Sequence, residues 1–180
     1  MRGKYLLYGT LAGGLTLFVW QVVSNVAIPW HEATLKPFTN NGAVVDAVRA
    51  NTAGNGVYIA PQGITAAVSF TPDMADKMTT TMAPNMIKTL VVDLVAALLL
   101  CVLVARIGVG RKRDTALTLG LGALAVGIVK ELGNWIWYGF SASFAIVNTI
   151  DLAIVFALAG IVIAWVYKRE MQGAPVATVR

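Results

Sequence analysis

Thiols and imidazoles are almost missing from this chain: its 180 residues include one cysteine and one histidine. Cys101 alone can form neither an intrachain disulfide nor a thiolate metal site. His31 alone excludes a haem held by two histidines of one chain. Charge is also scarce, at 13% of residues against 57% hydrophobic, where soluble domains carry roughly twice that share of charge. No CxxC pair, HExxH, Gly-rich phosphate loop or Ser/His/Asp motif can be read along the sequence. No catalytic residues are therefore assigned. The net charge of +5 does not point to nucleic acid, because the basic residues gather at the ends of apolar runs, where the positive-inside rule puts them.

The chain does have four long apolar runs, Tyr5–Ile28, Met86–Ala105, Ala116–Val129 and Phe144–Val166, and its mean hydropathy is +0.71. Each is near the length that crosses a bilayer as a helix. The third spans only if it continues past Lys130 to the Trp135–Trp137 aromatic belt, and this continuation is expected. The first has a basic start at Arg2 and Lys4, but Val23-Ser24-Asn25-Val26-Ala27 is a poor cleavage site. It is read as a retained signal-anchor helix. The fold expected is an all-α membrane protein, a four-transmembrane-helix bundle with a small α/β extracytoplasmic cap between helices 1 and 2. The divisions are 1–29 for helix 1, 30–85 for the cap, 86–170 for helices 2–4, and 171–180 for a tail.

Lys and Arg set the orientation. Arg2, Lys4, Arg106, Arg111, Lys112, Arg113, Lys168, Arg169 and Arg180 fall on one side, so both termini are expected in the cytoplasm. In the cap, Val44–Ala50 reads as a short amphipathic helix and Val57–Ala60 and Ala66–Phe70 as strands, with a turn at Pro61-Gln62-Gly63. Thr71-Pro72-Asp73 opens a helix expected to end before Pro84. The tail Gln172–Arg180 reads as disordered.

Charges at membrane depth are costly and face a bundle interior, a partner or a water-filled cavity. Asp93, Lys130, Glu131, Asn134, Asn148 and Asp151 are therefore expected to form one intramembrane polar cluster near the outer side, with Lys130 paired to Asp93 or Asp151. The cluster serves either as a structural ion pair holding three helices in register or as a proton, ion or ligand site; the spacing does not separate these. His31 and Glu32 follow the first helix at the same level. They suit an interfacial hydrogen-bonding role, or a ligand site completed by a carboxylate of the cluster. Met74, Met78, Met82 and Met86 recur every four residues, which suits packing more than Cu(I) binding; no cofactor is implied. Small residues mark packing faces at Gly9 and Gly13, at Ala116, Gly120, Ala123 and Gly127, and at Ala153, Ala157, Gly160 and Ala164. The last of these faces could meet a neighbouring subunit.

Pro29-Trp30-His31-Glu32-Ala33-Thr34-Leu35-Lys36-Pro37-Phe38, Gly56-Val57-Tyr58-Ile59-Ala60-Pro61 and the closing Trp135-Ile136-Trp137-Tyr138 resemble small uncharacterised bacterial four-span proteins. The resemblance implies a bacterial inner-membrane protein and transfers no activity. The expected function is a non-catalytic accessory or scaffolding subunit of a larger membrane complex, partnered by the bilayer and by other subunits or itself. The alternatives are a small transporter or channel component moving protons or ions on Asp93 and Asp151, and a periplasmic-side metal-handling protein.

Overall fold

The structure is a computed structural model, and it describes residues 2–60, 64–68 and 82–172. It is mainly helical. Helix α1 (Arg2–Val22) runs into a π-helical turn, Val23–Ala27, and is followed by a 3-10 turn at Glu32–Thr34. Helix α2 (Asn41–Asn51) and an antiparallel hairpin of β1 (Gly56–Ala60) with β2 (Ile64–Val68) come next. Three long helices complete the described chain: α3 (Met82–Ile107), α4 (Lys112–Tyr138) and α5 (Ala142–Tyr167), the last extended by a π-helical turn, Lys168–Gln172.

Four helices are long and apolar enough to cross a membrane, over Gly3–Ala27, Met82–Ile107, Lys112–Tyr138 and Ala142–Met171. The chain is accordingly a multi-pass membrane protein. α4 continues through Lys130 and ends at Gly139, whose left-handed conformation (φ 69°) and backbone N–H to the Asn134 carbonyl form its C-cap. α5 opens on Ser141, whose Oγ accepts from the Phe144 N–H. Leu7, Leu11, Leu15 and Val19 on α1, Val95 and Leu99 on α3, and Leu121 on α4 are exposed, an arrangement suited to hydrocarbon rather than water.

The chain divides into two compact units, one holding residues up to Thr34 and from Ile87 onward, the other Leu35–Met86. In the first unit, α5 packs on both α1 and α4. The α4 contact is made by the small residues. A Cβ placed on Gly120 would lie 3.1 Å from the Ala157 Cβ and 3.3 Å from the Ala153 carbonyl, and one on Gly160 would lie 3.0 Å from the Ala116 Cα. Gly127 meets Thr149 in the same way, and Ala123 is buried. The two small-residue faces expected on these helices are thus pressed against each other within one chain, including the face read as open to a neighbour. Gly9, Gly13 and Gly14 do the same for α1: their missing Cβ atoms make room for Cys101, for Ile163 and Ala97, and for Leu94. Tyr5 is fully buried; its hydroxyl donates to the Cys101 carbonyl at 2.8 Å and its ring meets Tyr167 edge-on at 5.0 Å.

In the second unit, Asn40 caps α2 by accepting from the Ala43 N–H at 3.0 Å, which starts the helix three residues before the amphipathic stretch begins. The hairpin pairs Gly56 with Val68 and Ala60 with Ile64, so its second strand begins two residues earlier than the sequence reading of Ala66–Phe70. The 61–63 turn, the helix from Thr71, Met74, Met78 and the tail 173–180 lie outside the described residues. Met82 and Pro84 lie in α3 as described; the helix end expected before Pro84 falls on residues outside the described ones.

Candidate functional site

The last turn of α1 controls the site. In its π-helical turn the Ile28 N–H reaches the Val23 carbonyl at 3.2 Å, one residue further back than an α-helical bond would. The Ser24 carbonyl lies at the helix end, and the Trp30 Nε1–H donates to it at 3.1 Å. The chain then tightens into a turn in which the Ala33 N–H bonds the Pro29 carbonyl and both the N–H and Oγ1 of Thr34 bond the His31 carbonyl. This turn returns His31 toward the helix it has just left.

Asp151, in the third turn of α5, is where these side chains converge. Its Oδ1 accepts from Trp20 Nε1 at 2.6 Å and from Ser24 Oγ at 2.8 Å; its Oδ2 lies 3.3 Å from His31 Nε2. Trp20 and Ser24 are four residues apart and so share the face of α1 turned to α5. Trp30 Nε1 also reaches Ser24 Oγ at 3.0 Å, and His31 Nε2 lies 3.1 Å from the same oxygen. The proton positions follow. Ser24 has one proton and gives it to Asp151, so His31 Nε2 must carry a hydrogen and donate to both Asp151 and Ser24. Asp151 thereby receives three donors, the arrangement a carboxylate takes.

Ser24, His31 and Asp151 meet here although no such set is readable along the sequence. The geometry is not that of a hydrolytic triad. A nucleophilic serine must pass its proton to an imidazole nitrogen whose other nitrogen is held by the acid. Here the serine and the acid share one nitrogen, which already bears hydrogen.

The polar residues expected in one cluster divide into separate groups. Asp93 is bonded across the α1–α3 contact by Gln21 Nε2, at 2.7 Å to Oδ1. Lys130 does not pair with Asp93 or Asp151. Its ammonium lies 3.1 Å from Glu131 Oε1, and its side chain is 70% exposed against 9% for that of Glu131. Helical phase alone does not separate the two, since Lys130 follows the buried Leu119 and Ala123 by eleven and seven residues and shares their side of α4. Toward this end of α4 the packing opens, with Trp135, Ile136, Trp137 and Tyr138 all exposed, and the long Lys130 side chain extends out of it. Asn134 Nδ2 reaches Glu131 Oε2 at 3.4 Å, and Asn148 bonds the Phe144 carbonyl of its own helix. Glu32 is exposed at the start of the 3-10 turn. No group of three His, Cys, Asp or Glu placed to hold a metal occurs among the described residues.

Sequence reasoning assigned no part in the polar site to Trp20, Gln21, Ser24 or Trp30. The available signal was the four-residue spacing of Trp20 and Ser24, and the polar Gln21, Ser24 and Asn25 at the end of an otherwise apolar run. Trp20 also helps to line an open apolar groove of about 350 Å³ with Leu15, Thr16, Val19, Val23 and Leu158. No protein-family model, curated protein or solved structure matches the chain.

Proposed function

We propose that this protein is a non-catalytic scaffolding or accessory subunit of a larger bacterial inner-membrane complex, with both termini in the cytoplasm and the His31 turn on the outer side. The polar side chains at the end of α1 are engaged in tying helices together: Asp151 joins α5 to α1 and to the turn after it, and Gln21 joins α1 to Asp93 of α3. None of these bonds leaves a paired nucleophile and base.

The observation that carries the reading is the outward face of α4. Thr118, Gly122 and Ala125 share this face, all exposed, and nothing lies within 4 Å of a Cβ placed on Gly122 or Gly133. Lys130 lies apart from this face, about 80° or more round the helix from all three residues, with its side chain exposed. Small residues let a second helix approach closely, and a helix from another subunit would fill the space left open at Gly122 and Gly133.

In-membrane cross-linking tests this. With Cys101 replaced by Ser, Gly122→Cys should give one discrete higher-mass adduct in native membranes, and the same species should copurify with the unmodified chain in mild detergent. A stable lone monomer with no adduct at residue 122 would refute the proposal.

A further inference from the structure

Asp93 is 4% exposed, and its Oδ2 is buried without a hydrogen-bond partner. Its Oδ1 has one partner, Gln21 Nε2. The contrast with Asp151 is direct, since that carboxylate has a donor on each oxygen and three in all. The groups around Asp93 supply no counter-charge. The side chain facing it from α1 is the neutral Gln21. On its own helix the nearest charged residue is Lys88, which is exposed, five residues earlier, and so about 7.5 Å along the axis and well round the helix. Asp151 meets the same stretch of α1 through Trp20 and Ser24 rather than through Gln21, and adds negative charge rather than positive. Lys130 is engaged with Glu131. A bare carboxylate with a single neutral donor inside a membrane span is the costliest state open to this group, whereas a neutral acid tolerates an unpaired oxygen far better.

We infer that Asp93 is a proton-binding site within the membrane span, holding an exchangeable proton on its carboxyl group at neutral pH. Binding a proton joins H⁺ to a carboxylate oxygen and removes the charge; release restores it. A metal cation is a poorer occupant, since hard divalent cations take about six or more oxygens, and Asp93 and Gln21 supply too few. The inference is independent of the scaffolding role, because a structural carboxyl inside a subunit and one that exchanges protons would tie the same two helices.

Infrared spectroscopy of the full-length protein in lipid vesicles reads this directly. The expected result is a carboxylic-acid C=O band at pH 7 that is present in the wild type and in Asp151→Asn and absent from Asp93→Asn. The band should shift on transfer to D2O and fade as the pH is raised. It should not respond to added NaCl or MgCl2. Should Asp93→Asn fail to fold, ¹³C labelling of the aspartate side-chain carboxyls in Asp151→Asn, which leaves Asp93 as the one aspartate at the polar end of the spans, should shift the same band. Carboxylate bands alone at pH 7 would overturn the assignment. A protonated band unmoved by D2O would overturn the exchange, and a band abolished by either salt would replace the proton with a cation.

Discussion

Ser24 Oγ donates to Asp151 Oδ1 at 2.8 Å across 127 positions of sequence. The same oxygen accepts from Trp30 and His31, so one hydroxyl joins α1, α5 and the turn between α1 and the next unit. All of its hydrogen-bonding capacity, one proton and two lone pairs, is in use.

Removing that hydroxyl should therefore affect more than one partner. Ser24→Ala takes a donor from Asp151 and an acceptor from Trp30, and should destabilise by about 1–3 kcal/mol. Trp20→Phe, which deletes a bond to a charged acceptor, should cost about 1.5–3 kcal/mol. Thermal unfolding in detergent micelles measures both. Combining Ser24→Ala with Asp151→Asn should be less damaging than the sum of the two, because the side chains act as one network.

Glycines in α1 and α4 should respond in opposite directions to the same substitution. Gly14→Ala drives a methyl to 2.7 Å from Leu94 Cδ2 and 3.1 Å from its Cα, so α1 and α3 must separate, at about 1–3 kcal/mol. Gly122→Ala meets nothing within 4 Å and should stabilise the isolated chain by about 0.5–1 kcal/mol through helix propensity. If the two variants melt alike, the close approach at Gly14 is wrong.

Lys130 and Glu131 give an asymmetric test. Lys130→Met leaves the buried Glu131 carboxylate with only the long Asn134 contact. A loss of about 1–3 kcal/mol is expected, most of it recovered when Glu131→Gln is added. Lys130→Met combined with Asp151→Asn should show no such recovery. Recovery there in unfolding experiments would mean that Lys130 serves the other carboxylate after all.

Tyr5 and Cys101 form the matching contact at the start of α1. Tyr5→Phe deletes a buried hydroxyl bond to the Cys101 carbonyl and should cost about 0.5–1.5 kcal/mol. The Cys101 side chain is fully buried, so it should resist maleimide in the folded protein and react once detergent or heat opens the bundle. Rapid labelling of the native protein would contradict this packing.

The spans were readable because apolar runs of this length have few other uses. So were the faces at Gly120 and Gly127, because a helix repeats its small residues every three or four positions. The pairing of those faces was not, since periodicity says which side is packed but not which helix arrives there. Lys130 shows the limit at finer scale: it repeats the phase of the buried Leu119 and Ala123, and periodicity does not report that the packing opens toward the end of α4 and lets its long side chain out. The Asp151 site was hidden for two reasons. Its donors come from a distant helix whose place in the bundle composition does not set, and the π-helical turn at Val23–Ala27 alters which backbone groups are free. In the second unit, Asn40 fixed the start of α2 through a side-chain cap that the apolar pattern does not report.

α1 is fastened near both ends, by Tyr5 to Cys101 and Tyr167 and by Trp20 and Ser24 to Asp151. Tyr5 and Trp20 are fifteen residues apart, about 22 Å along the axis. A slide of one residue, or a twist of the helix about its own axis, would break the attachments at both levels together. α1 therefore behaves as a strut rather than a piston, and a movement of this bundle would have to carry α1 and α5 as one rigid piece.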